Sequence, residues 1–384
     1  MSATLKIAVG ASGLSHVVRG VEAWAEETAG ALKRAGEQVT LFQGTGPSDP
    51  PYRVTLDCMT RFDPRSAAWP RRLRRLGLWR MGLSNPYDYE QLSYTIRLWK
   101  KIGRDFDILH VQDPMVALWM TWLHRCGLSQ PRVILGHGTE EPTSTLVRYQ
   151  ALQHLAPVYL EDWEKHRPPG QAVFAIPNFI DVQRFQPGDQ QAARAAWDIP
   201  ADAFVVLTVA ALKKQHKRVD YLIREMAQLP VLGSRPTMLV MAGAREAETD
   251  EIMQLSRDLL GERGRVLIDV PRQQIQSLYH AADAFALGSL HEMLGIALVE
   301  AMACGLPVCC NDSPTLAWVA GPAGEPNRIT EPGALLAQLA PLASPEERQR
   351  RAQLARQRAV EVFSEQAVVP QLQEMYAQVM AQVP

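Results

Sequence analysis

Two carboxylates eight residues apart carry the most specific chemistry in the chain. Glu292 and Glu300 lie in GSLHEMLGIALVEAMACGLPV, residues 288–308. The pattern predicts a strand ending near Leu287, a loop SLHEMLG, and a helix beginning near Gly295 or Ile296. The backbone amides of Met293, Leu294, Gly295 and Ile296 then point out of the helix start. Together with the helix dipole they form an anion site suited to a diphosphate. Glu300 interrupts an otherwise apolar helical run. A buried carboxylate is costly unless it is partnered or reaches a cleft. On an ideal helix, positions 292 and 300 are ~12 Å apart. A ligand the size of a nucleotide sugar spans that distance, and its vicinal hydroxyls are natural donors to carboxylates. The alternative also stays open: Glu300 pairs internally and Glu292 is a solvated loop residue.

Further candidates are weaker. Gly10, Gly13 and Gly20, in or beside ASGLSHVVRG, allow close backbone approach in the first loop, and Arg19 adds a charge there. The spacing of a GxGxxG dinucleotide loop is not present. His110 and His137 close two predicted strands, where a hydrogen-bonded core or loop histidine is an equally good explanation. Between Met59 and Leu98 the pattern is least regular, and Arg71, Arg72, Arg74, Arg75 and Arg80 place five arginines within ten positions. They fit a solvated basic face, a grip on an anionic acceptor, or a weak peripheral contact with anionic lipid.

The elements that must position these residues follow one plan. Residues 5–11 (LKIAVGA) read as a buried strand, 21–34 as a helix ended by Gly36, and 37–42 (EQVTLF) as the next strand. This is a βαβ opening, which favours a parallel sheet. Residues 106–111, 132–136 and 173–177 fit further strands. A second series starts near residue 204: FVVLTVA, TMLVMAG, RVLIDV, DAFALGS and PVCCND are strands separated by helical patterns. The predicted class is therefore α/β, with two such domains joined near residues 177–200.

Composition agrees with a folded protein of this kind. The 384 residues predict two or three domains, and 47% apolar against 21% charged residues exclude a disordered chain. A net charge of −1 gives no case for a nucleic-acid partner. The five cysteines have no zinc spacing and read as thiols in a reducing compartment. The start of the sequence resembles a first strand rather than a signal peptide, and no apolar run is long enough to span a bilayer. Cytoplasmic location is the expectation.

HEMLGIALVEAMACGLPV, with Glu292-x7-Glu300, the glycine after the first glutamate, the VEAMACG helix and the Pro-Val strand start, resembles the signature of the retaining family 4 glycosyltransferases. The likeness covers most of the chain and is strongest from about 204 to 312. It implies the GT-B fold, two Rossmann-like domains facing across a cleft. The implied domains are an acceptor-side domain at 1–177, a nucleotide-sugar donor domain at 178–363 and a C-terminal helix at 364–384 crossing back. It implies transfer of a sugar, of the hexosyl type, from a nucleotide-diphosphate sugar to an acceptor hydroxyl, with UDP favoured as the nucleotide. The acceptor would be a small molecule, a glycan or a lipid-linked species.

By position, Glu292 matches the residue that meets the donor sugar's hydroxyls, and Glu300 the one that holds the ribose hydroxyls. Lys217, in ALKKQHKRVDYLI, matches the lysine that meets the diphosphate. Met293, Leu294 and Gly295 match the backbone donors to phosphate and sugar. His137 matches the histidine near the reaction centre, and Gly20 the surviving glycine of the first loop. His110 and Asp113 are placed on the acceptor side. The resemblance implies no required metal; Asp105 and Asp107 look like the metal-binding DxD of a different transferase fold, but they sit before a strand, in a stretch this family uses as a strand lead-in. Three departures stand out. Ala210-Ala211-Leu212 replaces Gly-Arg-Leu, which removes an arginine and leaves Lys213, Lys214 or Arg218 as substitutes. Phe179 replaces a glycine in Asn178–Asp181. The glycines expected beyond CCNDSPTLAWVAG have decayed. A phosphorylase or epimerase of the same fold, or a catalytically weak nucleotide-sugar binding protein, are the rival readings.

Overall fold

Strands buried on both faces of a parallel sheet are rich in apolar residues, and most of the strands here are. In a computed structural model, which describes residues 5–17, 20–66, 68, 83–139, 141–326 and 328–382, the chain divides into two compact units. One comprises Met1–Asn178 with Val369–Pro384, the other Phe179–Val368. Arg19 and the Arg71–Arg80 cluster lie outside the described residues.

The first unit is built on seven parallel strands: β1 (Lys6–Ala11), β2 (Gln38–Gln43), β3 (Arg53–Thr55), β4 (Ile108–Val111), β5 (Arg132–His137), β6 (Ala151–His154) and β7 (Ala172–Ala175). Their order across the sheet is β3-β2-β1-β4-β5-β6-β7. Val9 of β1 faces Leu41 on one side and His110 on the other. Helices α1 (Gly20–Arg34), α2 (Pro86–Ile102) and α3 (Pro114–Arg125) connect them. Phe42, Leu98, Ile102, Met120, Leu152 and Trp163 pack in one core cluster.

α2 falls where the sequence looked least regular. Its buried positions include Asp88, Glu90, Gln91 and Thr95, so polar side chains broke the apolar period. Its start is nonetheless well specified. Asn85 accepts from the amides of Tyr87 and Asp88, and Asp88 accepts back from the Asn85 amide. This is a capping box with Pro86 in the first turn. β3 and β6 are also absent from the strands read in the sequence. β3 has three residues, and β6 (ALQH) carries two polar side chains although all four of its residues are buried.

The second unit has five parallel strands: β8 (Phe204–Val209), β10 (Arg235–Gly243), β11 (Gly264–Ile268), β12 (Ala284–Leu287) and β13 (Val308–Cys310). Their order is β11-β10-β8-β12-β13, and a short β9 (Val231–Leu232) pairs antiparallel with β10. Both sheets reverse strand order at their first strand, and ligands of open α/β sheets bind outside the carboxyl ends at such a point. Its helices include α4 (Gln190–Ala196), α5 (Val219–Ala227), α6 (Thr249–Leu260), α7 (Arg272–Ala281), α8 (Ile296–Ala303), α9 (Pro314–Ala320) and α10 (Pro345–Phe363), and α11 (Glu365–Ala381) belongs to the first unit from Val369 on.

His110 belongs to the fold of the first unit rather than to an acceptor surface. It is fully buried, its Nδ1 lies 2.9 Å from the Tyr376 hydroxyl of α11, and Trp24 meets the ring edge-on. Burial pushes its pKa down to about 3. The Gln373 side chain donates to Glu37, and Arg132 donates to the Val379 carbonyl. These bonds hold the end of α11 in place within the first unit.

Candidate active site

In the second unit two loops leave the carboxyl ends of β8 and β12 and are bonded together. The Leu290 amide donates to the His216 carbonyl at 3.0 Å. Gly288 is required at this crossing, since a Cβ there would lie 2.8 Å from the Lys217 carbonyl oxygen and 3.0 Å from that of Arg218. The crossing places Lys217 beside Glu292. Lys217 Nζ donates to Glu292 Oε1 at 2.5 Å, with the two side chains 19% and 16% exposed. Asn311 holds the second loop from behind, donating to the Leu290 carbonyl and accepting from the Ile329 amide.

α8 starts where the sequence pattern put it. Gly295 has φ +82°, a left-handed conformation that favours glycine, and it caps the helix. The helical ladder begins with the Leu298 amide donating to the Gly295 carbonyl, so the amides of Ile296 and Ala297 precede it. Leu294 is buried and Met293 half-buried. Glu300 is 4% exposed and does have internal partners. The Tyr279 hydroxyl donates to its Oε2 at 2.9 Å, and the Arg272 guanidinium stands 3.6 Å from Oε1. Burial and the Glu300 carboxylate together push the Tyr279 hydroxyl pKa well up. Tyr279 therefore stays a proton donor to Glu300.

Of the cations that stand near the missing arginine in sequence, two are committed elsewhere. The Lys214 ammonium pairs with Glu251, and its amide donates to Glu248. Arg218 sits at φ +49° as the cap of α5, 3.7 Å from Asp220 and over the Tyr221 ring. Lys217 is the one that reaches Glu292.

In the first unit the carboxyl edge is lined with polar side chains that the sequence pattern left scattered. Glu90 is fully buried and accepts from Arg61 Nε, Nη2 and backbone N. It also accepts from Ser12, and lies 2.9 Å from His16 Nε2. Burial works against its charge, but the Arg61 and His16 bonds win and its pKa is lowered. Asp113 is buried and accepts from the Ser12 amide and the Tyr87 hydroxyl; burial raises its pKa against those bonds. Gly13 packs on this cluster, where a Cβ would lie 2.2 Å from Glu22 Oε1. Gly20 opens α1 in the open, with nothing within 4 Å of a Cβ.

His137 ends β5 and is 5% exposed. Its Nδ1 lies 3.0 Å from Nδ1 of His154, its register partner on β6, and its Nε2 lies 3.5 Å from Glu141 Oε2. Burial pushes the two rings down to about 4 and about 3. His154, Arg61, Glu90 and Glu141 had no signal in the sequence, because their neighbours come from separate elements. Among the described residues no group of three or more His, Cys, Asp or Glu side chains is placed to hold a metal. No helix among them is long and apolar enough to cross a membrane.

Comparison with known proteins gives each unit a relative. The family described as "Glycosyltransferase Family 4" matches residues 18–180, and "Glycosyl transferases group 1" matches residues 189–358. A D-inositol 3-phosphate glycosyltransferase 1 of Catenulispora acidiphila is 28% identical over 314 residues, covering 75% of this chain and 73% of that protein. Other proteins described as D-inositol 3-phosphate glycosyltransferase match more closely over a shorter stretch, and the chain spans about a third of their length. Among solved structures, sucrose-phosphate synthase of Thermosynechococcus elongatus superposes with a TM-score of 0.79 at 19% identity, over 99% of this chain and 100% of that one. Anabaena Alr3699/HepE, in complex with UDP and glucose, superposes at 0.71 and 16% identity, over 97% and 100%. Fold, paired carboxylates and matches to both halves converge: the chain belongs to the family 4 glycosyltransferases, enzymes of the GT-B fold.

Proposed function

We propose that the protein transfers a hexosyl group from a nucleotide-diphosphate sugar, with UDP as the favoured nucleotide, to an acceptor hydroxyl with retention of anomeric configuration. The observation that carries this is the Lys217–Glu292 contact beside the start of α8. It puts a cation, a carboxylate and the positive end of a helix within reach of one diphosphate sugar. On this reading the amides of Met293, Leu294 and Gly295 and the Lys217 ammonium receive the diphosphate. Lys217 passes from Glu292 to the phosphate as the glycosidic bond breaks and negative charge grows there. Glu292, released, accepts from the sugar's hydroxyls and is not a nucleophile. Glu300, oriented by Tyr279, accepts from the ribose hydroxyls. The acceptor oxygen attacks from the leaving group's face, and its proton goes to a phosphate oxygen.

The first unit takes the acceptor, with His137 meeting the donor sugar and Gly20 leaving room for phosphate or acceptor. The relatives described as D-inositol 3-phosphate glycosyltransferases make a cyclitol phosphate the first acceptor to try. No metal has a part in this scheme, and the site of action is the cytoplasm. The test is a hydrolysis and transfer screen of UDP-, GDP- and TDP-sugars with and without cyclitol phosphates, with NMR of the product anomer. Turnover of a UDP-hexose to a product of the same anomeric configuration is expected. An inverted product overturns the mechanism, and no turnover with any UDP-sugar overturns the donor assignment.

A further inference from the structure

His137 and His154 stand opposite one another in the β5–β6 register, with their Nδ1 atoms 3.0 Å apart and their rings at 73°. Two nitrogens at that distance cannot both carry a proton, and two bare nitrogens would repel. The pair therefore shares one proton. Both rings are buried and held neutral near pH 7, so they must be opposite tautomers: one protonated at Nδ1, the other at Nε2.

The surroundings choose between the two arrangements. Nε2 of His137 faces Glu141 Oε2 at 3.5 Å. A bare Nε2 would set its lone pair against a carboxylate in a site nearly closed to water, whereas an Nε2–H is attracted to it. The His154 ring is held from its other sides by Tyr159, stacked at 5.9 Å, and by Trp163. The Trp163 indole N–H is spent on Gln171 and does not compete for His154.

We propose that His154 is a positioning residue: its Nδ1–H donates to His137 Nδ1 and holds His137 as the Nε2–H tautomer, a fixed donor to a sugar oxygen on the Glu141 side. The proposal rests on the reading that His137 meets the donor sugar. It makes no net proton transfer, and neither ring becomes charged during turnover. It also gives His154 a role distinct from filling space at the carboxyl end of β6, since a phenyl ring would fill the same space.

The test has two parts. Nitrogen-15 to proton correlation spectra of the full chain, with histidines assigned by substitution, report the tautomers directly. Wild type is expected to show His137 protonated at Nε2 and His154 at Nδ1, and the reverse assignment overturns the proposal. Kinetics of UDP-sugar turnover then compare His154→Phe, which keeps a ring without a donor, with His154→Asn, whose amide nitrogen lies close to the position of Nδ1. His154→Phe is expected to lower kcat about tenfold, the loss of one oriented hydrogen bond, with KM little changed. His154→Asn should recover most of it. Equal activity of the two variants, or equal losses, overturns the proposal. His154→Phe should cost nothing further in a His137→Phe background, and an undiminished effect there also overturns it. Full turnover by His137→Phe with the expected tautomers in wild type would instead remove His137 from the proposed reaction, and the positioning role with it.

Discussion

Replacing Lys217 by methionine keeps most of the side chain's volume and removes its charge. In the resting protein the loss is modest. The Lys217–Glu292 pair is less than one-fifth exposed on each side, and breaking it leaves a partly buried carboxylate that still reaches water. A cost of ~1 kcal/mol fits such a pair, between the value of exposed ion pairs and that of fully buried ones. It corresponds to a fall of about 2–4 °C in Tm for a unit of this size. The transition state loses more. A unit charge ~4 Å from a developing phosphate charge, at the effective dielectric of about 20 that suits partly buried pairs, is worth about 4 kcal/mol. The ground-state diphosphate already collects part of that, so kcat should fall about 10- to 100-fold while affinity for free UDP falls less. The assay is UDP release under saturating donor, with calorimetric titration of UDP and a melting curve on the same preparation. A Lys217→Met protein that melts normally and keeps kcat within about threefold of wild type would refute the argument. Unequal loss in the other direction, with UDP affinity lost and kcat intact at saturation, would place Lys217 in binding alone.

Other perturbations separate the remaining roles. Glu300→Gln should weaken binding of the nucleotide alone, measured by calorimetry, and unchanged affinity would sink the ribose assignment. Glu292→Gln should instead lower turnover more than nucleotide affinity. Full activity should survive EDTA, and loss that Mg²⁺ or Mn²⁺ restores would contradict the metal-free scheme. Stability should fall as pH drops from about 6.5 toward 4. Burial pushes the His110, His137 and His154 rings down to about 3, 4 and 3, below the ~6.5 of an ordinary histidine. The unfolded chain therefore binds more protons in that window, at a slope of ~1.4 kcal/mol per pH unit for each histidine that titrates only when unfolded. Urea melts at pH 7, 6 and 5 should show this trend, and His110→Phe should flatten it if the variant folds. Glu90, with its lowered pKa, adds a second loss only below about pH 4.5.

Sequence reasoning reached furthest where one stretch of chain makes one structure. The strand, loop and helix around Glu292 and Glu300 are a local event, so their order and the helix start near Gly295 were legible. Lys217 was legible only through the family resemblance, since its partner lies 75 residues away. α2 was obscured because its buried face is polar. Asp88, Glu90 and Gln91 are satisfied there by a cap, by Arg61 and by the Met115 amide, none of which the helical period reveals. β6 was hidden for the related reason that Gln153 and His154 are buried with partners from other segments, the Ile176 carbonyl just past β7 and His137 of β5. The expected acceptor-side role of His110 gives way to packing, because a histidine at a strand end reads alike whether it faces a ligand or a helix returning 266 residues later.

The crossing at Gly288 carries a practical lesson for re-engineering donor choice. The Lys217 loop and the Glu292 loop touch through their main chains, not only through their charged tips. Lengthening, shortening or grafting either one alone would shift the other's backbone, and any side chain at 288 would push the two apart. Swaps between related enzymes should therefore treat both loops and the glycine as one inherited cassette, transplanted together or left alone.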